Sequence, residues 1–321
     1  MKIYKFSIAI AMLCAPIIAQ ASTYPNKQVN IVVPFTPGGV TDAMTRGLAD
    51  KLQEKLGEPV LVVNKPGAGT VIATNYVARS KPDGYTLLMA ASALSIAPHL
   101  YKSTVTYNPE KDFSPITLVA AVPHLLVIDS RISAKTVSEF ITYLEKNPNQ
   151  ATYASSGNGT SNHLEGELFA SLSDIEMTHV PYKGSVPGLT SLASGDVSMM
   201  FVDVAAAKPF LDSGKVRALA VTTAKRSKQM PALPTVSESG LPKFDAMPWL
   251  GIVAAAGTPK EVVEKLTEAL KEISVDPAIT AQFSSMGLDP VFNSPEEFST
   301  FIRDENNKWA GVINKANIVV E

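Results

Sequence analysis

The residues that could do chemistry in this chain gather at three bends. "PFTPGGVTD" carries Phe35, Thr36, Pro37, Gly38, Gly39, Thr41 and Asp42. "NKPGAGTVIA" carries Gly67, Gly69 and Thr70, and "YASSGNGTSNHLEGELF" carries Ser155, Ser156, Gly157, Gly159, Thr160, Ser161 and His163. Each bend sets glycines and hydroxyls between an apolar run and a helical pattern. Glycine lets backbone approach a guest closely, and Ser and Thr add donors. The first N–H groups of a helix have no partner within it, and its N-terminus favours an anion by roughly 0.3–1 kcal/mol, more when partly buried. The chemistry on offer is reversible capture of a small anion by amides and hydroxyls. No arginine lies in the three loops, and Arg46 and Arg79 come further along their helices, at positions read as outward. Ordinary capping by Thr41, Asp42 or Ser161, with glycines serving tight turns, explains any single bend as well.

Enzymatic patterns do not match. Ser156, His163 and Asp203 supply the residue types of a secreted hydrolase, but no G-x-S-x-G occurs. "GAGTVIA" is a partial dinucleotide fingerprint with Ile72 at the third glycine's place, and Asp83 belongs to the turn "KPDG". No cofactor is expected. Of the four histidines, His163 fits a ligand, capping or structural role, His179 in "THVPY" reads as core, and His99 and His124 are too scattered to pair by spacing. With no H-x-x-x-H or H-E-x-x-H, no metal is expected. No basic run or basic–aromatic interleaving suggests nucleic acid.

The chain opens "MKIYKFSIAIAMLCAPIIAQAS". Lys2 and Lys5, a short apolar stretch and the A-x-A of Ala19-Gln20-Ala21 read as a secretory signal cleaved after Ala21, too short to span a bilayer. Leu13 and Ala11 stand where a lipoprotein signal before Cys14 would need a small residue and leucine. Cleavage leaves 300 residues without cysteine, holding 26 basic and 30 acidic side chains. An exported protein with no disulfides is held by its core alone, and this length suits two domains.

The elements that must position the bends follow from periodicity. "VNIVVPF", "PVLVVNK", "YTLLMAA", "HLLVID", "ATYASS", "MTHVPY", "SMMFVD", "VRALAVTT" and "LGIVAAA" read as strands. Helical patterns lie between them at 41–56, 70–79, 136–147, 161–172, 186–194 and 204–213, with two more at 259–274 and 295–316. This alternation predicts an α/β fold with parallel sheets. The extended stretch around Pro123 and the Pro/Gly-rich 230–259 read as two crossings. One lobe would then hold 22–123 and 249–321, the other 124–248, with a ligand cleft between them. Trp249 reads as hinge packing, Trp309 as core, and the charges of "PEEFSTFIRDENNKW" as a solvated face.

In order and spacing, "VPFTPGGVTDAMTR", "VNKPGAGTVIATNYVARSKPDGYTLLMA", "SSGNGTSNHLEGELF", "HVPYKGSVPGLTSLASGDVSMMF", "RALAVTTAKRSKQMPALPTVSESGLP" and "PWLGIVAAAGTP" resemble the tripartite tricarboxylate transporter substrate-binding receptors, the Bug proteins. Each motif alone is weak, whereas the ordered set, from about Tyr24 to the C-terminus, is specific. The resemblance implies a two-lobed, type II-like periplasmic binding fold that grips a small carboxylate between loops 35–42 and 155–163. It implies contributions from Thr70 and Ser92 on the first lobe and from Tyr182 and Asp203 on the second, with Thr36 tuning specificity. "FVD" at 201–203 departs from the family's usual "FDN", which weakens the expectation at Asp203. Membrane transporter subunits are the implied partners of a monomeric receptor, and delivery to a signalling sensor is the alternative use. C4–C6 dicarboxylates, citrate and aromatic carboxylates all remain open as ligands.

Overall fold

The computed structural model describes residues 24–319. The export signal read from residues 1–21 lies outside the described residues. In chain order the first elements are β1 (Val29–Val33), α1 (Val40–Leu56), β2 (Val60–Asn64), α2 (Val71–Ala78), β3 (Thr86–Ala91), α3 (Ala93–Leu100) and β4 (Phe113–Ala121). Next come β5 (His124–Asp129), α4 (Val137–Lys146), β6 (Thr152–Ser155), α5 (Ser161–Ser173), β7 (Thr178–Pro181), α6 (Ser185–Ser194), β8 (Met199–Asp203), α7 (Val204–Asp212) and β9 (Val216–Val221). The chain ends through β10 (Trp249–Ala255), α8 (Lys260–Ser274), α9 (Pro277–Ser285), β11 (Asp289–Pro290) and α10 (Pro295–Lys315).

These strands form two sheets, ordered β11-β4-β10-β3-β1-β2 and β7-β6-β8-β5-β9. The expectation of parallel sheets holds only in part. β1 runs parallel to β2 and β3, and β6 to β7 and β8. However, β10 is antiparallel to β3 and β4, and β5 to β8 and β9. Both strands have just crossed from the other sheet, whereas the remaining antiparallel pairing, of the two-residue β11 with β4, lies at the first sheet's edge. The parallel strands end at the space between the sheets, so a strand entering from that space must run against them. The entry points, His124 and Trp249, therefore sit beside strand ends, and His124 pairs in register with Asp203.

Each sheet is buried on both faces, which explains its near-continuous apolar strands. Met44, Leu48 and Leu52 of α1 pack with Leu266 and Leu270 of α8 and Phe283 of α9 on one face of the first sheet. Ala73 and Val77 of α2, Leu94 of α3 and Phe298 and Ile302 of α10 cover the other. The second sheet lies between a cluster holding Phe140, Tyr153, Phe169 and Phe201 and one holding Leu189, Leu192 and Val202. We take each sheet with its helices as a lobe.

The last helix belongs to both. It starts with a capping box, Ser294 accepting from Glu297 N–H and Glu297 accepting from Ser294 N–H. Its first half packs on the first lobe, whereas Trp309, Val312 and Ile313 join the Phe140 cluster of the second. The charges read as a solvated face are partly internal, for Glu305 is 3 % exposed, pairs with Lys308 and accepts from Trp309 Nε1.

Gly251 in β10 is where the first lobe has no spare room. A Cβ there would lie 2.3 Å from Cζ of Phe298, a fully buried ring set edge-on to Trp249. Gly251→Val is expected to lower stability by about 1–3 kcal/mol through overpacking, read as a lower urea midpoint. An unchanged midpoint would show that Phe298 can yield.

Candidate functional site

The bends meet at a cavity of about 540 Å³ between the lobes. Its lining draws Phe35 and Thr41 from the first bend, Gly69 and Thr70 from the second, and Gly159, Thr160 and Ser161 from the third, together with Ser92 and Asp203. Five helices, α1, α2, α3, α5 and α7, begin at this space. Four of them, capped at Gly39, Thr70, Ser92 and Thr160, receive no side-chain capping bond. Three of those cap residues own a hydroxyl. By contrast α4, α9 and α10, which start elsewhere, are capped by Thr136, Asp276 and Ser294. Apart from Val71 N–H, which donates to the Ala68 carbonyl, and Ser95 N–H, which donates to the Ser92 carbonyl, the first-turn amides at these four starts are left for an external acceptor among the described residues.

The first bend is built from behind. Asp42 is 3 % exposed and its carboxylate accepts from Gly38 N–H at 3.0 Å, from Arg46 Nε and Nη2 at 3.0 Å each, and from Asn64 Nδ2 at 2.8 Å. Hydrogen bonds from Arg46 first, then Gly38 and Asn64, pull its carboxyl down to about 2 against the effect of burial. Asn64 also donates to the Phe35 carbonyl. Asp42 thus holds the loop and has nothing left for a ligand, and Arg46, read as outward, is its partner. Gly38, at φ +88°, supplies the conformation only glycine adopts easily, while Gly39 at φ −78° is ordinary. Thr36, Pro37, Gly38 and Gly39 shape the loop without lining the cavity.

The third bend divides the same way. Asn158, Gly159, Thr160 and Ser161 face the cavity. Ser155 is fully buried, its hydroxyl within 2.6 Å of His179 Nε2 and bonded to Gly157. Ser156 bonds Ser185, and Tyr182 bonds Ser191. None of Ser155, Ser156, Gly157 and Tyr182 is in the lining. His163 is a support rather than a contact: its Nδ1 accepts from Gly159 N–H at 3.0 Å, so the ring proton of the neutral form sits on Nε2, 3.7 Å from Glu167. His163 stacks on His179 at 3.8 Å between centroids, and Tyr153 stacks on His179 at 4.9 Å. His179, read as core, is pushed down to about 4, first by burial and then by His163.

Several lining residues escaped sequence reasoning: His124, Tyr101, Asn158, Trp249 and the 286–288 loop. His124 was legible only through its place, directly after Pro123 at a crossing. Asp203 does line the cavity and caps α7, accepting from Ala206 N–H at 2.8 Å. A depression of about 890 Å³ around Lys27, Arg79 and Tyr85 is open to solvent on the first lobe and holds none of the five cap residues. Among the described residues no cluster of three His, Cys, Asp or Glu could hold a metal, and no helix is long and apolar enough to cross a membrane.

Comparison with known proteins recovers the same two-sheet, mixed α/β fold. Residues 44–318 match the model of the tripartite tricarboxylate transporter family receptor. The chain belongs to this receptor family. Protein BugT of Bordetella pertussis is 36 % identical over 96 % of this chain and 94 % of its own length. The solved periplasmic binding protein BugD is 36 % identical with a TM-score of 0.72, over 93 % of this chain and all of that one. MatC from Rhodopseudomonas palustris, solved with bound malate, is 31 % identical with a TM-score of 0.71, over 90 % of this chain and all of that one. An R. palustris protein solved with adipate is 35 % identical with a TM-score of 0.75, over 92 % of this chain and 99 % of that one. The family consists of substrate-binding receptors, and this receptor is likewise not an enzyme.

The histidine stack behind the third bend makes a stability prediction for the receptor. Folding lowers His179's affinity for a proton, so between about pH 6.5 and 4 the unfolded chain binds a proton that the native ring refuses. Stability is therefore lost as pH falls through that window, by about 1–2 kcal/mol allowing for the ring's partial exposure. His179→Gln should flatten this part of the melting temperature against pH curve. An identical slope in the variant would place the acid sensitivity elsewhere.

Proposed function

We propose that this receptor captures a small carboxylate between its lobes, in the periplasm, and delivers it to a tripartite tricarboxylate-type membrane transporter. The observation that carries the reading is the ring of helix starts: four side-chain-uncapped N-termini face one cavity whose lining holds no lysine or arginine. Free amides at the positive ends of helices bind carboxylate oxygens through hydrogen bonds and dipole alike. The malate and adipate in two solved relatives support the same class. The cavity lies within the roughly 300–1,000 Å³ of small-ligand sites.

Phe35, Thr41, Thr70, Ser92, Gly159, Thr160, Ser161 and Asp203 are the residues we assign to ligand contact. The loop holders Asp42, Ser155 and His163 act through them. In this reading export leaves a mature chain from Ser22 onward, working as a monomer, with residues 22–123 and 249–321 as one lobe and 124–248 as the other. The lobes close about the two crossings, and the bridging α10 limits the swing. A ligand that touches both lobes binds the closed form better, and that difference drives closure.

A thermal-shift panel of carboxylates, amino acids and sugars tests the class. At a hundred times its dissociation constant a carboxylate adds about 2.7 kcal/mol of native stability, a shift of several degrees. Gly159→Val, placing a branched residue at φ +73° in the lining, is expected to weaken that carboxylate at least tenfold while leaving the unliganded melting point within a few degrees. Shifts with sugars alone, or full affinity in the variant, would reject the reading.

A further inference from the structure

The cavity lining holds several polar groups and one side chain able to carry positive charge, His124. It stands at the first residue of β5, where the chain enters the second lobe. Its Nδ1 lies 2.8 Å from Glu165 Oε2, and Glu165, on the buried face of α5, is fully excluded from solvent. Its backbone is fixed too, with N–H donating to Thr222 Oγ1 and the carbonyl accepting from Thr222 N–H. Among the described residues the Nε2 atom has no protein partner, and it is not among the sealed, unpartnered polar atoms. One ring nitrogen is therefore tied inward and the other is open to the cleft.

We propose that His124 is the charged specificity determinant of this cleft, an imidazolium whose Nε2–H meets one oxygen of the ligand carboxylate, with Glu165 as the positioning residue behind it. The inference deepens the carboxylate reading above and rests on it. Three observations carry it. First, Glu165 has no use in the core: it sits among Leu164, Leu168 and Phe169, and its Oε1 is buried without a partner. A buried ion pair is commonly no more stabilising than apolar residues of the same volume, so packing alone does not account for this one. What the pair does accomplish is to fix a histidine's tautomer and orientation at the wall of the site, as carboxylates do behind metal-binding and catalytic imidazoles.

Second, the surrounding charges favour the proton. Asp203 pairs with His124 in register across β5 and β8, and Glu305 and Lys308 of α10 stand behind Glu165 with opposite signs. Burial works against the charged ring, but Glu165 and then Asp203 outweigh it and raise His124 above its ordinary value. Burial likewise pushes Glu165 up, with His124 opposing. Third, the amide ring leaves a gap in function. Helix amides and hydroxyls donate to a carboxylate and favour its charge only modestly over a neutral amide or ester, whereas a charge-assisted bond is roughly twice as strong as a neutral one and vanishes when the ligand is uncharged.

The test is titration calorimetry of the mature receptor with malate and adipate between pH 6.0 and 8.5, in two buffers of different ionisation enthalpy. Should neither bind, the tightest carboxylate of the thermal-shift panel takes their place. The wild type should bind with uptake of a fraction of a proton at the alkaline end, its affinity falling by up to about tenfold per pH unit above the ionisation of His124. Glu165→Gln removes the charge but not the shape. Burial of the ring is then opposed by Asp203 alone, so the variant's decline should begin below the ordinary histidine value of about 6.5, and its affinity at pH 7 should fall below wild type. His124→Gln should bind about tenfold more weakly at pH 6.0 and show no pH dependence. A wild type with flat affinity and no proton uptake, or a His124→Gln variant as tight as wild type, would overturn the inference and leave the carboxylate reading standing. Failure of every carboxylate to bind the wild type would overturn both.

Discussion

An α-helix cannot satisfy its own first N–H groups, and the architecture turns on where five helices leave theirs. Parallel strands of both sheets end at the cleft, so the helices that follow them begin there. The same constraint sets the direction of the crossing strands. Whatever enters the cleft from the opposite lobe must run antiparallel, which brings β5 and β10 in beside the strand ends. One geometric fact thus gathers the amides, His124, Asp203 and Trp249 around a single cavity.

Much of this was legible before any coordinates. Glycines and hydroxyls between a two-residue and a 3.6-residue period mark strand-to-helix bends, and the helix starts at all three bends fall within a residue of where this pattern puts them. What was not legible depended on partners distant in sequence. Asp42 suits a first helical turn by charge, yet Asn64 from the next strand draws it inside. Ser155 looks like a ligand hydroxyl until His179, 24 residues on, takes it. Gly38 and Gly39 are indistinguishable as letters, and only φ separates the one that needs to be glycine. His124 has no meaning by spacing, because its partner sits 41 residues away on the buried face of a helix. The parallel-sheet expectation breaks at the crossing strands for the same reason: β10 returns to the first sheet after the whole second lobe has been built.

The supporting layer is as informative as the lining. Asp42 with Arg46 and Asn64 behind the first bend, and His163 with His179 and Tyr153 behind the third, are both anchored to a backbone N–H of the loop, Gly38 in one case and Gly159 in the other. Each ties one amide inward and so decides which of the remaining amides point to the cleft. Positioning shells of this kind hold a site within the few tenths of an ångström that hydrogen bonds to a small guest require.

A receptor must release what it holds, and this lining is suited to that. Helix N-termini contribute roughly 0.3–1 kcal/mol each at exposed sites and up to about 2 when partly buried, so the grip is a sum of modest terms made without any fixed cation. An arginine fork would bind more tightly, with a charge that cannot be removed. The lone titratable cation of the lining is instead a histidine whose proton depends on its neighbours. Because those neighbours sit on β8, α5 and the bridging α10, the charge the ligand meets is set by elements of both lobes, and any movement of α10 against α5 alters the field of Glu305 and Lys308 at Glu165. With His124 meeting the ligand as proposed, affinity and lobe geometry are coupled through one buried carboxylate.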